Sequence, residues 1–126
     1  MTSLEKGCTM TKEEMKARTK QYALRVIKAV QSLPSDRVAN VLGSQLLRSG
    51  TSVGANYRAA CRAKSTADFV NKLKIVEEEG DESLFWMELL VESGITPEQK
   101  LGALMKEGDE ILSIVVAALK TTRQNN

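Results

Sequence analysis

The sequence predicts an all-α protein, an antiparallel up-down-up-down four-helix bundle. Three observations carry this expectation. Apolar residues recur at three- and four-residue spacing through four successive segments. Capping residues open the segments, and a proline or glycine closes the first and the third. The composition adds to this, with two prolines, 4% aromatic residues and apolar content dominated by Ala, Leu, Val and Ile. The 126 residues suit one domain. Residues 1–10 read as a disordered tail, 11–122 as the bundle, and 123–126 as a polar tail.

The first helix opens at Thr11, with Glu14 three residues later in capping-box spacing. Met15, Thr19, Tyr22, Val26, Val30 and Leu33 form its apolar stripe, and Pro34 ends it. Ser35 or Asp36 then caps a second helix expected from about Asp36 to Ala63. This helix has two packing faces. Leu42, Leu46, Ser49, Val53, Asn56 and Ala60 make one, while Ala39, Gly43, Leu47, Gly50 and Gly54 make the other. A glycine within a helix costs about 1 kcal/mol relative to alanine. Glycines aligned on one side let another backbone approach closely, and the dispersion gained offsets that cost. Two faces imply two neighbours, one within the bundle and the other a possible second subunit. The spacing Gly50-x-x-x-Gly54 is not that of a phosphate-binding loop, and no strand precedes it.

Ser65 and Asp68 open the third helix. Its core face is Phe69, Leu73, Val76, Gly80, Ser83 or Leu84, Met87 and Leu90. Phe85 falls outside that stripe, among Lys74, Glu78, Asp81, Glu88 and Glu92, and reads as a partner contact. Gly94 stops the helix. Thr96-Pro97-Glu98-Gln99 starts the fourth, which continues through Leu101, Leu104, Met105, Gly108, Ile111, Leu112, Val115 and Leu119. Connections of two or three residues make consecutive helices antiparallel neighbours.

No apolar run approaches the roughly 20 residues that span a bilayer. The first ten residues lack the apolar core of a secretory signal, so a cytoplasmic location is expected. Cys8 and Cys61 stand far apart and support neither a disulfide framework nor a zinc site. The chain has no histidine, which removes the usual general base and most zinc chemistry. Consecutive acids at Glu77, Glu78 and Glu79 spread around a helix axis and cannot converge on one ion. No enzyme, cofactor or metal is expected.

The net charge is +2, unevenly distributed. Residues 1–34 carry seven basic and three acidic groups, and 35–64 carry five and one. Residues 65–95 reverse this with two and eight, and 96–126 hold four of each. Basic and acidic helices side by side would partly neutralise each other.

Two blocks, QLLRSGTSVGANYRAACRA and FVNKLKIVEEEGDESLFWMELL, carry a family likeness. They resemble the four-helix-bundle proteins encoded within intervening sequences of bacterial large-subunit ribosomal RNA genes. That resemblance extends over nearly the whole chain beyond residue 11. It implies a closed four-helix bundle assembled into a homopentameric ring. The chain is also similar to the accessory variability proteins of diversity-generating retroelements, basic pentameric barrels that bind nucleic acid and a reverse transcriptase. The Q-L-x-R-S motif of the family falls on Gln45, Arg48 and Ser49, and its following Asn on Asn56. Gly80 stands where the family pattern has alanine, and the chain is less basic than the retroelement relatives.

The candidate nucleic-acid-binding residues are Lys12, Lys16 and Lys20, then Arg25 and Lys28, on the first helix. Arg58, Arg62 and Lys64 join them at the end of the second. The alternative for the last three is a helix C-terminus whose dipole favours cations, facing the acidic third helix. Gln45, Arg48, Ser49 and Asn56 read as structural polar residues, with Arg48 expected to meet Glu82 or Glu88. The expected function is a non-enzymatic homo-oligomer, a pentamer, that binds RNA or DNA. The alternative is a protein-interaction scaffold.

Overall fold

The structure, a computed structural model, describes residues 10–124. It contains α1 (Lys12–Gln31), α2 (Arg37–Cys61), α3 (Thr66–Glu92) and α4 (Glu98–Gln124). Each helix packs on the next, and α4 closes the bundle against α1 through the thinnest of the four seams. Residues 1–9 of the expected N-terminal tail lie outside the described residues. The expected C-terminal boundary at 122 moves, because α4 continues to Gln124. No Gly or Pro falls between residues 109 and 124, and the Thr122 hydroxyl donates to the Ala118 carbonyl along the helix at 2.8 Å.

The caps follow from side-chain chemistry. Thr11 Oγ1 accepts the Glu14 N–H at 3.0 Å, and the Thr11 N–H donates to Glu14 Oε1 at 2.8 Å. Asp36, rather than Ser35, caps α2 by accepting the Ala39 N–H at 2.8 Å. Ser65 accepts the Asp68 N–H at 3.1 Å. The Asp68 carboxylate reaches past the cap to the Lys64 N–H at 3.4 Å, so this is half a capping box. Gly94 takes φ 81°, a left-handed conformation suited to glycine, and the Thr96 N–H returns to the Leu90 carbonyl at 3.1 Å.

The connections 32–36, 62–65 and 93–97 hold five, four and five residues, against an expected two or three. The difference is the chain needed to finish one helix and cap the next. Ser32 and Leu33, for example, still bond back to Lys28, Ala29 and Val30. These links remain short enough to keep neighbours antiparallel. The bundle therefore has two distinct ends. One, the α2–α3 end, collects the start of α1, the α2–α3 connection and the finish of α4. The opposite end holds the other two connections.

The core is built from Met15, Tyr22 and Val26, with Leu46 and Val53, Leu73, Val76, Met87 and Leu90, then Ile111, Val115 and Leu119. Tyr57, which neither predicted stripe of α2 includes, is also buried. The glycine face of α2 packs on α1 of the same chain. A Cβ at Gly50 would lie 2.8 Å from both Val26 methyls, and one at Gly54 would lie 3.2 Å from the Thr19 carbonyl oxygen. Leu47, assigned to that face by its spacing, sits at its outer edge and is 38% exposed. Buried hydroxyls bond locally: Thr19 to the Met15 carbonyl at 3.0 Å, and Ser49 to the Gln45 carbonyl at 2.8 Å.

Candidate nucleic-acid interface

Antiparallel packing decides which of the expected cations meet. Arg58, Arg62 and Lys64 are exposed where α2 ends, and Lys12 starts α1 at the same end. The Lys12 ammonium lies 5.2 Å from the centre of the Phe69 ring, which ties the first turns of α1 and α3 together. The last turns of α4 bring Lys120 and Arg123 to this end as well. These two were missed in the sequence because they lie about sixty residues from the α2 cluster. The up-down topology is the signal that places them.

Three carboxylates belong to the same end, and each is engaged nearby. Glu13 pairs with Lys16 at 2.9 Å, and Glu14 caps α1. Asp68 accepts from the Lys72 ammonium at 2.7 Å. Hydrogen bonds from Lys72 and from the Lys64 N–H hold the Asp68 carboxyl below its usual range. The ion pairs formed among the described residues thus use Lys16, Arg18, Arg48 and Lys72. Lys12, Arg58, Arg62, Lys64, Lys120 and Arg123 form none there. The α2–α3 end is basic.

The rest of the expected basic set is dispersed. Lys16 is paired, and Lys20 is exposed partway along α1. Arg25 and Lys28 lie at the opposite end, where they border a groove with Lys100.

Arg48 is half-exposed rather than buried. It bonds Glu79 at 3.1 Å and also Glu82, joining α2 to α3. Glu88 is exposed and takes no part: six residues beyond Glu82, it has rotated to another face of α3. Gln45 Oε1 accepts from Arg48 Nε at 3.4 Å, and Asn56 Nδ2 donates to its own helix at the Ser52 carbonyl, 2.8 Å away. These polar residues of the Q-L-x-R-S stretch are occupied within the bundle.

Phe85 is 48% exposed, with its ring edge-on to Trp86 at 5.2 Å. Trp86 Nε1 donates to Glu82 at 3.4 Å. A second ionic contact was not foreseen. Arg18 forks onto Glu107 at 2.7 and 2.8 Å and onto Glu110 at 2.8 Å, across the thin α1–α4 seam. Arg18 stands three residues after Met15 and four before Tyr22, so a charge beside the apolar stripe was the available signal. Its hydrogen bond holds the Glu107 carboxyl below the ordinary range.

Among the described residues no three His, Cys, Asp or Glu side chains converge as metal ligands, and no helix is long and apolar enough to cross a membrane. Cys61 is a free, half-buried thiol beside Tyr57.

A crystal structure of a protein of unknown function from the S23 ribosomal protein family of Bacteroides thetaiotaomicron superposes with a TM-score of 0.79 and 33% identity. The match covers 84% of this chain and 98% of that one. No curated protein matches the chain. The sequence profile of the 23S rRNA-intervening sequence proteins matches residues 11–117, which is most of the bundle. The chain belongs to the 23S rRNA-intervening sequence protein family.

Proposed function

We propose that this protein is a non-enzymatic, cytoplasmic homo-oligomer, a pentameric ring, that binds RNA or DNA through its basic α2–α3 end. The observation that carries this reading is the set of six cations from α1, the end of α2, the α2–α3 connection and α4, with the local carboxylates engaged by other partners. Such a surface neutralises phosphates without reading bases. No aromatic side chain on it is placed for stacking, since Phe69 is occupied by Lys12. A ring repeats the same patch once per subunit, so weak contacts add through effective concentration.

The test is binding to structured RNA and to duplex DNA over a salt series, on protein whose mass in solution is measured alongside. Each phosphate neutralised on duplex DNA contributes a slope of about −0.9 in log affinity against log salt. Exchanging Arg58 and Arg62 for glutamate should weaken binding and flatten that slope. A ring indifferent to both nucleic acids at low salt overturns the reading.

That result would favour a protein-interaction scaffold. Phe85 supports this second reading, as an exposed aromatic on α3 with Glu78, Asp81 and Glu88 exposed around it. Exchanging Phe85 for serine would then abolish capture of the partner without changing the mass of the ring.

A further inference from the structure

The end of the bundle away from the basic patch holds a different feature. There the last turns of α1 and the first turns of α4 leave a groove of about 330 Å³ between them. Arg25 and Lys28 border it from α1, and Lys100 from α4. Ala29 and Ala103 line it with small side chains, and Leu104 adds an apolar surface. No carboxylate lines the groove, and among the described residues none of the three cations is joined to one.

The surrounding charges sharpen this picture. Glu107, the acid whose field reaches Arg25, is already held by Arg18. Glu98 lies in the first turn of α4, where it complements the helix dipole. Ser32 Oγ is turned to the Ala29 carbonyl at 2.8 Å. Three like charges from two helices around one concavity repel each other, and an anion between them relieves that repulsion.

We infer that this groove is a binding site for a compact diphosphate group, clamped by Arg25 and Lys28 on one wall and Lys100 on the other. Arginine supplies a planar fork to phosphate oxygens, and the two lysines act as point charges. The lining has no aromatic side chain, so recognition rests on the phosphates and not on a base or sugar. The site is independent of the basic end and does not rest on the nucleic-acid reading. Free polyphosphates carry that anhydride-linked pair, whereas a nucleic-acid strand presents single phosphodiesters spaced by sugars, so the experiment separates the two.

The experiment is calorimetric titration of the full chain with inorganic pyrophosphate at low salt. It is run on the native protein, on a Lys28→Gln/Lys100→Gln variant and on an Arg58→Gln/Arg62→Gln variant. All four positions are exposed, so circular dichroism should show folded protein throughout. The expected result is saturable binding of one pyrophosphate per chain, weakened at least tenfold by the groove variant and unchanged by the other. A short oligonucleotide without terminal phosphates forms the second arm. If it displaces pyrophosphate, the groove takes strand phosphodiesters and the inference fails; if it does not, the groove serves a free polyphosphate. Absence of saturable binding, or equal loss in both variants, overturns the inference.

Discussion

Tyr22 and Gly108 compete for one space: a Cβ on residue 108 would stand 2.6 Å from the Tyr22 hydroxyl. That hydroxyl lies 2.8 Å from Ser83 Oγ, which in turn donates to the Gly80 carbonyl at 2.7 Å. With the serine proton used there, tyrosine is the donor to serine. One buried chain of hydrogen bonds therefore links α1 to α3, and the missing side chain on α4 makes room for it. Gly108→Ala should destabilise the protein by about 1–2 kcal/mol, because overpacking outweighs the helix propensity that alanine adds. In a Tyr22→Phe background the same substitution should cost less, since the closest clash is removed. Urea unfolding of the four proteins in this cycle measures that coupling.

The same hydrogen bond makes the two ends of the Tyr22–Ser83 pair unequal. Ser83→Ala leaves a buried phenol without its acceptor, a loss of about 1–3 kcal/mol. Tyr22→Phe leaves a serine still bonded to Gly80 and should cost less, about 1 kcal/mol. Titration follows the same logic. Burial raises the Tyr22 pKa above its ordinary 10.0, and burial with the Cys61 thiol raises that of Tyr57. A raised folded pKa gives stability that is complete below the unfolded value and is lost as pH climbs through the folded one. Melting temperature should accordingly fall above pH 10, and Tyr22→Phe should shallow that fall.

At the acid side the controlling contact is Arg18 with Glu107 and Glu110. It spans the thinnest seam, where little apolar packing shares the load. Glu107 has a depressed folded pKa, mainly through its hydrogen bond with Arg18. Its contribution is therefore present above the unfolded value of 4.5 and lost as pH falls through the folded one. Arg18→Met leaves two carboxylates one turn apart without their cation. The expected cost near pH 7 is about 1 kcal/mol, kept low by partial solvent access. Below pH 4.5 the variant and the native protein should converge, as followed by thermal melts from pH 7 to pH 3.

Much of this architecture was legible in the chain. The stripes of α1 and α3 were readable because each is opened by a cap and its buried side is marked mostly by large apolar residues, so a 3.6-residue period maps onto burial. The α2 helix was harder, because glycines and alanines bury along it beside the large apolar residues, which widens its stripe. Tyr57 lies between its two inferred faces, and Leu47 lies past the edge of one. The basic end was half legible. Arg58, Arg62 and Lys64 are close in sequence, whereas Lys120 and Arg123 join them only through topology. Arg48 was rightly expected to meet an acid, but spacing alone could not favour Glu79 and Glu82 over Glu88. Pairing across helices depends on rotation about both axes, which a one-dimensional pattern does not carry.

The glycines give the sharpest test of this packing, because their neighbours differ so much. Gly102 lies in α4, and a Cβ there would meet only the flexible Glu98 side chain, at 4.0 Å. Gly102→Ala should stabilise the protein by about 1 kcal/mol, through helix propensity and a less free unfolded chain. Gly80 is buried, yet its added methyl would reach Leu112 Cδ1 at 3.6 Å, an ordinary contact. Gly80→Ala should also stabilise, so the glycine here is not required by the fold. Gly50 is the opposite case, with both Val26 methyls at 2.8 Å from the added carbon. Val26 is fully buried and β-branched, so it has no free rotamer to retreat into. Gly50→Ala should therefore cost about 1–3 kcal/mol despite the better helix former. Val26→Ala on top of it should recover part of the loss by opening the seam. Chemical unfolding of the four variants decides the matter: if Gly50→Ala proves as stable as Gly102→Ala, α1 and α2 are not in the close contact described above.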